Sequence, residues 1–160
     1  ILPIWDLRSS EAMRAILQTV KSASVTIDGK IVGAIDRGYL IYLGVGPEDT
    51  TDEVVKLWNK IRKLRVFMDA SGKTNLDLAA VEGNVLLVSQ FTLFASIKKG
   101  NRPSFATAAP PAMAKKLYDT MVDLVKKDLP DLQTGQFGAD MLVASVNDGP
   151  FTLWIDTDEL

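Results

Sequence analysis

Hydrophobic residues alternate with polar or small residues through the first third of the chain, a period of two that is typical of half-buried strands. The alternation covers RAILQTV at 14–20, SASVTID at 22–28 and IVGAID at 31–36. Asp28-Gly29 and Arg37-Gly38 are turn signals. YLIYLGV at 39–45 is almost continuously apolar, which favours a strand buried on both faces. The pattern predicts four short strands in succession, forming a meander.

Two later segments have the spacing of amphipathic helices. Thr50 or Thr51 is expected to cap the first helix, and Pro110-Pro111 opens the second. The apolar stripes are Val54, Trp58, Ile61 and Leu64 in the first helix and Met113, Leu117, Met121 and Leu124 in the second. Lys56, Lys60 and Lys63 fall on another face of the first helix, which favours a solvated face over a stripe of cations that follows phosphates.

Three more apolar segments complete the chain. They are NVLLVSQFTLF at 84–94, MLVASVN at 141–147 and PFTLWID at 150–156, the last two separated by Asp148-Gly149. We therefore predict a single α+β domain over residues 13–160, with a mostly antiparallel sheet and two main helices. Residues 1–12 are expected to be an N-terminal extension or a vector-derived remnant.

The composition excludes several kinds of active site. The 160 residues include no cysteine and no histidine, so Ser-His-Asp triads, Cys-His pairs, thiolate or imidazole zinc sites and disulfides are ruled out. An all-oxygen magnesium site would remain, but no carboxylate spacing supports one, and we expect neither metal nor cofactor. With a net charge of −2, any contact with nucleic acid must be local.

The apolar stretches are also informative about membranes. The longest, Tyr39–Val45 and Val85–Val88, are far shorter than the roughly 20 residues that span a bilayer. No signal-peptide pattern is present. We expect a cytoplasmic protein without membrane association.

Three polar segments are candidates for chemistry. Ser89, Gln90 and Thr92 crowd the end of an apolar strand, either as a strand emerging into solvent or as donors to a developing oxyanion. Asn147-Asp148-Gly149-Pro150 is typical of a hairpin turn, although a cis Gly-Pro bond would give a rigid wall of carbonyls. Lys98, Lys99 and Arg102 lie in a short loop that is either solvated or a phosphate clamp.

Together these segments resemble the D-aminoacyl-tRNA deacylases over nearly the whole chain. The resemblance rests on MRAILQTVKSASVTIDG from Met13, VSQFTLF at 88–94, KGNRPSF at 99–105, TGQFGADM at 134–141 and NDGPFTLW at 147–154. It implies a small barrel-like fold and a homodimer. The implied reaction is hydrolysis of the ester between a D-amino acid and the 3′-terminal adenosine of tRNA, a chirality proofreading step that would also remove glycine mischarged on other tRNAs.

The resemblance also implies roles for individual residues. The aminoacyl-adenosine would be held by Ser89, Gln90, Phe91 and Thr92, with the Phe91 N–H as oxyanion donor. A Gly-cisPro motif, Gly149 and Pro150, would enter the partner subunit and reject L-amino acids. The pocket would be lined by Met141 and Asn147, and the tRNA would be bound by Lys98, Lys99 and Arg102. Two positions depart from the family pattern. Thr19 stands where the family usually has arginine, and Phe151 where valine usually follows the proline.

The chemistry required is modest, because an aminoacyl ester is already activated and one oxyanion donor contributes about 3–4 kcal/mol. Without histidine, we expect the ribose 2′-OH to assist a water molecule, in preference to attack by Thr92, for which the sequence supplies no base. Two alternatives remain open. One is a sister deacylase for a mischarged L-amino acid, with a trans Gly-Pro bond, and the other is a non-catalytic nucleic-acid-binding module.

Overall fold

The computed structural model describes residues 11–160, so residues 1–10 of the predicted extension lie outside the described residues. The elements are β1 Arg14–Ile27, β2 Lys30–Ile35, β3 Gly38–Gly44, α1 Thr51–Ile61, β4 Phe67–Met68, β5 Thr74–Leu76, β6 Asn84–Ser89, α2 Pro111–Asp128, β7 Gln133–Thr134 and β8 Leu142–Asp156. Short 3-10 helices occupy Phe91–Phe94 and Thr157–Glu159. In this range, neither helix has both the length and the apolar character needed to cross a bilayer.

Strand β1 is the centre of the main sheet. One of its edges pairs with β8 along almost its whole length, and the other pairs first with β3 and then with β2. All three pairings are antiparallel, whereas β3–β6 and β6–β7 are parallel. The prediction of an α+β fold with a mostly antiparallel sheet is thereby confirmed, with two parallel pairings that the pattern did not indicate.

Two strand predictions were wrong in the same way. RAILQTV and SASVTID belong to one 14-residue strand, β1, so the four predicted strands are three. They do not form the expected meander, because β2 and β3 both pair with β1. MLVASVN and PFTLWID likewise belong to one 15-residue strand, β8, and Asp148-Gly149 is not a hairpin turn. In both cases pairing with the neighbouring strand carries the backbone past residues that would otherwise favour a turn.

The sheet curls until β2 meets β7. The backbone N–H of Ala34 donates to Oε1 of Gln133 over 3.3 Å. A Cβ at Gly33 would lie 2.6 Å from the Thr134 carbonyl oxygen, so only glycine permits this approach. The sheet is therefore nearly closed, as expected for a barrel-like fold.

Hydrophobic side chains fill both faces of the sheet. Tyr39, Ile41 and Leu43 of β3 pack with the two helices, whereas Leu40 packs with a second cluster inside the curled sheet. This confirms that β3 is buried on both faces. The helix stripes are also confirmed: Val54, Trp58, Ile61, Leu117 and Met121 are buried, and Leu64, Met113 and Leu124 pack against the same core.

Helix α1 and the start of β1 are fixed by a buried carboxylate. Thr50 caps α1 in a capping box with Glu53, as one of the two predicted caps. Asp49 accepts the N–H of Met13 over 2.9 Å and that of Gly46 over 2.6 Å. Burial raises the pKa of the Asp49 carboxyl, against the lowering effect of these two donors. The carboxylate thus joins the residue before β1 to the turn before α1.

Candidate active site

The predicted catalytic residues lie where a core strand changes into a 3-10 helix. Ser89 is the last residue of β6 and pairs with Leu43. The Gln90 N–H continues the pairing by donating to the Leu43 carbonyl over 2.8 Å. The 3-10 helix Phe91–Phe94 begins at the next residue and carries the Phe91 side chain, 54% exposed, at the surface.

This change of structure leaves main-chain donors open. The first N–H groups of a helix have no acceptor within the helix. The Phe91 N–H has no hydrogen-bond partner among residues 11–160. Beside it, the Gln90 side-chain amide donates to the Thr92 hydroxyl oxygen. The segment therefore presents an unpaired main-chain donor next to an oriented amide–hydroxyl pair, which suits a developing negative charge.

Arg14 supports this segment, a contact that the sequence did not reveal. Its guanidinium lies 4.1 Å from the centre of the Phe94 ring and 5.4 Å from that of the Trp154 ring. Its Nη1 donates to the Leu93 carbonyl over 3.3 Å. Arg14 is the first residue of β1 and far from Leu93 in sequence, so only the β1–β3–β6 pairing brings them together.

The predicted phosphate-binding loop is attached to the same segment. Ser96 and Ser104 form an isolated bridge, with hydrogen bonds of 2.7 and 2.8 Å, that closes the loop. The rings of Phe105 and Phe91 meet edge to face with their centres 5.0 Å apart. The exposed Lys98, Lys99 and Arg102 therefore lie on a loop anchored to the predicted catalytic segment, Ser89–Thr92.

The Gly149-Pro150 segment is a bulge that projects from β8. Asn147 of β8 pairs with Val20 of β1, and Thr152 pairs with Gln18. The chain therefore advances five residues along β8 while it advances only two along β1. The three extra residues loop out of the ladder, and Asp148, Gly149 and Pro150 are exposed. The Gly149–Pro150 peptide bond is cis, and Gly149 has a φ of 135°, which disfavours other residues.

Two polar side chains brace the bulge from within the chain. The Thr19 hydroxyl donates to the Asp148 carbonyl over 2.7 Å. Asn147 closes the base, since its Nδ2 donates to the carbonyls of Thr19 and Phe151 over 3.0 Å each and its Oδ1 accepts the Phe151 N–H over 3.2 Å. Thr19, the departure from the family pattern, thus provides a bracing contact of its own.

Within one chain the bulge and the catalytic segment are well separated. Thr152, which follows the bulge, pairs with Gln18 of β1, Gln18 pairs with Leu40 of β3, and Leu40 pairs with Leu86 of β6. Leu86 lies three residues before Ser89. Three interstrand spacings amount to about 14 Å along the sheet, and three residues of strand add about 10 Å of offset. The structure therefore does not bring Gly149 to Ser89 of the same chain.

Met141 lies on the side of β6 rather than beside the bulge. Its sulfur packs against Gly135, where a Cβ would lie 2.4 Å from Sδ, and the Gly135 N–H donates to the Leu87 carbonyl over 3.4 Å. Met141 also contacts the interior cluster that includes Val88. It is thus near the end of β6. Within the described residues there is no group of three or more carboxylates that could hold a metal ion.

Comparisons with known proteins agree with this architecture. The model of the D-Tyr-tRNA(Tyr) deacylase family matches residues 16–156. The chain belongs to this family. It is 49% identical over 145 residues to the D-aminoacyl-tRNA deacylase of Clostridium novyi (strain NT), covering 91% of this chain and 97% of the relative. It is 47% identical over 148 residues to that of Thermosipho africanus (strain TCF52B), covering 92% and 99%.

Two solved structures have the same fold. The c-Myc DNA Unwinding Element Binding Protein is 38% identical with a TM-score of 0.84, covering 89% of this chain and 97% of that one. A probable eukaryotic D-amino acid tRNA deacylase is 16% identical with a TM-score of 0.81, covering 90% and 98%, which is a likeness of fold alone. Membership of the deacylase family makes the chain an ester hydrolase with aminoacyl-tRNA as substrate. The non-catalytic binding module is thereby set aside.

Proposed function

We propose that this deacylase hydrolyses the ester between a D-amino acid, or glycine, and the 3′-terminal adenosine of tRNA, at a site built from two copies of the chain. One copy supplies the segment Ser89–Thr92, and the other supplies the bulge Asp148–Pro150. The observation that carries the proposal is the separation of these two elements within one chain, by three strand spacings and three residues of offset.

The main-chain donor at the start of the 3-10 helix fits the charge that develops in ester hydrolysis. Water adds to the ester carbonyl, whose oxygen becomes negative. The bond to the ribose 3′-oxygen then breaks, and that oxygen takes up the proton that the attacking water has lost. The unpaired Phe91 N–H supports a role as oxyanion donor, since such a group contributes about 3–4 kcal/mol when it is rigidly placed.

The attacking water is assisted by the substrate rather than by a base of the protein. The chain has no histidine or cysteine. The Thr92 hydroxyl oxygen accepts a hydrogen bond from Gln90, and no carboxylate is hydrogen-bonded to that hydroxyl in the described part of the chain. Thr92 therefore has no group to take its proton, and the ribose 2′-OH positions the attacking water instead.

Selection of the D-enantiomer follows from exclusion. The exposed main chain of the bulge, braced by Thr19 and Asn147, fills the space that an L side chain would need at the partner's site. Hydrogen alone fits there, so a D side chain points away and glycine is accepted. A homodimer is required by this arrangement, and Met141 of the catalytic subunit lines the same pocket.

The exposed cations Lys98, Lys99 and Arg102 contact the phosphates near the 3′ end of the tRNA. Their loop is joined to the catalytic segment through Phe105 and Phe91, so it lies beside the ester. Because aminoacyl-tRNA is the substrate, we expect the enzyme to act in the cytoplasm.

The decisive variant lacks residues 148–150. Its excision leaves Asn147, Phe151 and Thr152 opposite Val20, Thr19 and Gln18, a regular antiparallel ladder, so the fold is retained. We expect this variant to hydrolyse L-tyrosyl-tRNA as well as D-tyrosyl-tRNA. A variant that still rejects the L-ester would refute the role of the bulge, and wild-type preference for an L-aminoacyl-tRNA would favour the sister deacylase.

Mixing experiments then test which subunit supplies the bulge. The deletion variant is mixed with an excess of a chain whose catalytic segment is inactivated by Phe91→Pro. If the bulge acts on its partner, every mixed dimer has one intact site, so L-ester hydrolysis disappears while D-ester hydrolysis remains. If the bulge acts on its own chain, L-ester hydrolysis by the deletion variant is unchanged by mixing.

A further inference from the structure

The lysines of α1 line an open groove, which the sequence alone did not indicate. The groove has a volume of about 350 Å³ and is lined by Lys56, Asn59, Lys60, Lys63 and Leu160. The three lysines recur at intervals of four and three residues, so they lie along one face of the helix and continue just beyond its last residue. At about 1.5 Å per residue they span roughly 10 Å, the length of two to three phosphates along one strand of a nucleic-acid duplex.

Among residues 11–160, none of the three lysines forms an ion pair within 4 Å, although the Glu53 carboxylate interacts electrostatically with Lys56. The ion pair within 4 Å in this range is Lys115–Asp119, on the other helix. Glu53, one turn before Lys56, is held by the N–H of Thr50 over 2.6 Å in the helix cap. Asp156 and Glu159 line a neighbouring groove together with Lys60, but neither forms an ion pair with Lys60 within 4 Å.

A continuous series of contacts joins the lysines to the catalytic segment. Lys60 and Leu160 also line a second groove of about 210 Å³, in which Trp154 lies. Trp154 is half-exposed and contacts the Arg14 guanidinium, which in turn stacks on Phe94 at the end of the 3-10 helix. The lysine groove and the segment Ser89–Thr92 are therefore linked by a series of neighbouring side chains.

We propose that the groove of Lys56, Asn59, Lys60, Lys63 and Leu160 binds the phosphate backbone of the tRNA acceptor stem while the 3′ end occupies the catalytic segment. The proposal rests on tRNA as the substrate. Its basis is charge complementarity, because duplex RNA is recognised largely through phosphates and riboses and a lysine row supplies donors without base specificity. The groove fixes the approach of the stem and leaves the chemistry to the catalytic segment.

The test compares two triple variants with the same change in charge. The groove variant combines Lys56→Gln, Lys60→Gln and Lys63→Gln. The control variant combines Lys116→Gln, Lys126→Gln and Lys127→Gln, whose lysines are all exposed on α2. Each is assayed on D-tyrosyl-tRNA and on the D-tyrosyl ester of a CCA trinucleotide, which lacks the stem. For the groove variant we expect kcat/KM on tRNA to fall on the order of tenfold, with the salt slope reduced by about two to three. Hydrolysis of the trinucleotide should stay unchanged.

Each other outcome overturns the proposal. Equal losses in both triple variants would mean general electrostatic attraction, and unchanged kinetics on tRNA would mean a merely solvated face. Loss on the trinucleotide as well would mean damage to the catalytic segment. Binding of deacylated tRNA, measured by fluorescence anisotropy, requires no hydrolysis. The groove variant is therefore expected to bind tRNA more weakly than wild type even if the proposed reaction is wrong.

Discussion

At the scale of single residues, the proposed catalytic segment, Ser89–Thr92, depends on main-chain groups. The Phe91 N–H is unpaired because the backbone leaves a strand at Gln90 and enters a 3-10 helix at the next residue. Side chains such as Arg14 act on this geometry through the Leu93 carbonyl and the Phe94 ring. Substitutions that change the backbone donor should therefore affect activity more than those that change a side chain.

Replacing Phe91 by proline removes the proposed oxyanion donor. Proline is tolerated at the first position of a helix, and Gln90 has a φ of −144° and a ψ of 82°, outside the helical region that a following proline disfavours. We expect kcat for D-tyrosyl-tRNA to fall about 10²- to 10³-fold. Phe91→Ala is the control, since it loses the ring but keeps the N–H, and should stay within about tenfold of wild type. Equal losses in the two variants would contradict the oxyanion role.

Thr92 provides a second test at this scale. Its hydroxyl accepts from Gln90 and has no base beside it, so its removal should leave most of the activity. Thr92→Val, which keeps the shape, and Thr92→Ala should both retain single-turnover rates within about tenfold of wild type. A loss in both variants as large as that of Phe91→Pro, with the fold intact by circular dichroism, would instead identify Thr92 as the nucleophile.

At the scale of elements, the start of β1 depends on the turn that precedes α1. Asp49 joins them with both carboxylate oxygens, one to each N–H. Asp49→Asn replaces one acceptor by an amide that cannot accept, which should reduce the free energy of unfolding by about 1–3 kcal/mol. Asp52→Asn, an exposed neighbour in the first turn of α1, should change it by less than about 1 kcal/mol.

The effect of Asp49 should depend on pH in a defined direction. Burial raises its pKa in the folded state, so the folded protein takes up a proton before the unfolded chain does. Between the ordinary value of 3.8 and the raised value, stability from this group therefore increases as the pH falls. Urea unfolding at about pH 7 and about pH 4.5 should show a larger difference between wild type and Asp49→Asn at the lower pH. A smaller difference there would reverse the assigned direction.

At the scale of the whole molecule, our proposal requires a second copy of the chain to complete the pocket. Exclusion by a rigid wall depends on the volume of the substituent on the α-carbon of the amino acid. Glycine carries only hydrogen in both the D and the L position. Wild-type enzyme should therefore hydrolyse glycyl-tRNA at a rate comparable with that of D-tyrosyl-tRNA, measured under single-turnover conditions, while L-tyrosyl-tRNA stays intact. Inertness toward glycyl-tRNA would show that a positive contact with the D side chain, rather than exclusion, makes the selection.

Much of the fold could be predicted because local pattern reports which faces are buried. The double-sided burial of β3 and the apolar stripes of both helices follow from periods of two and about 3.6, whatever the topology. The absence of histidine and cysteine restricts the chemistry through composition alone. The matched segments indicate the family, because five motifs in order specify it far better than any one of them.

Tertiary structure decided what depends on partners distant in sequence. Asn-Asp-Gly-Pro has the same turn preference in a hairpin and in a bulge, and only pairing with β1 on both sides makes it a bulge of β8. Arg14 reaches Leu93 through the β1–β3–β6 pairing, and Lys60 of α1 shares a groove with Trp154 of β8 only in the folded chain. The sequence thus determined which residues are buried and what chemistry is available. Register and strand order determined which groups meet, because the backbone of a strand forms its hydrogen bonds with residues distant in sequence, which a local pattern does not specify.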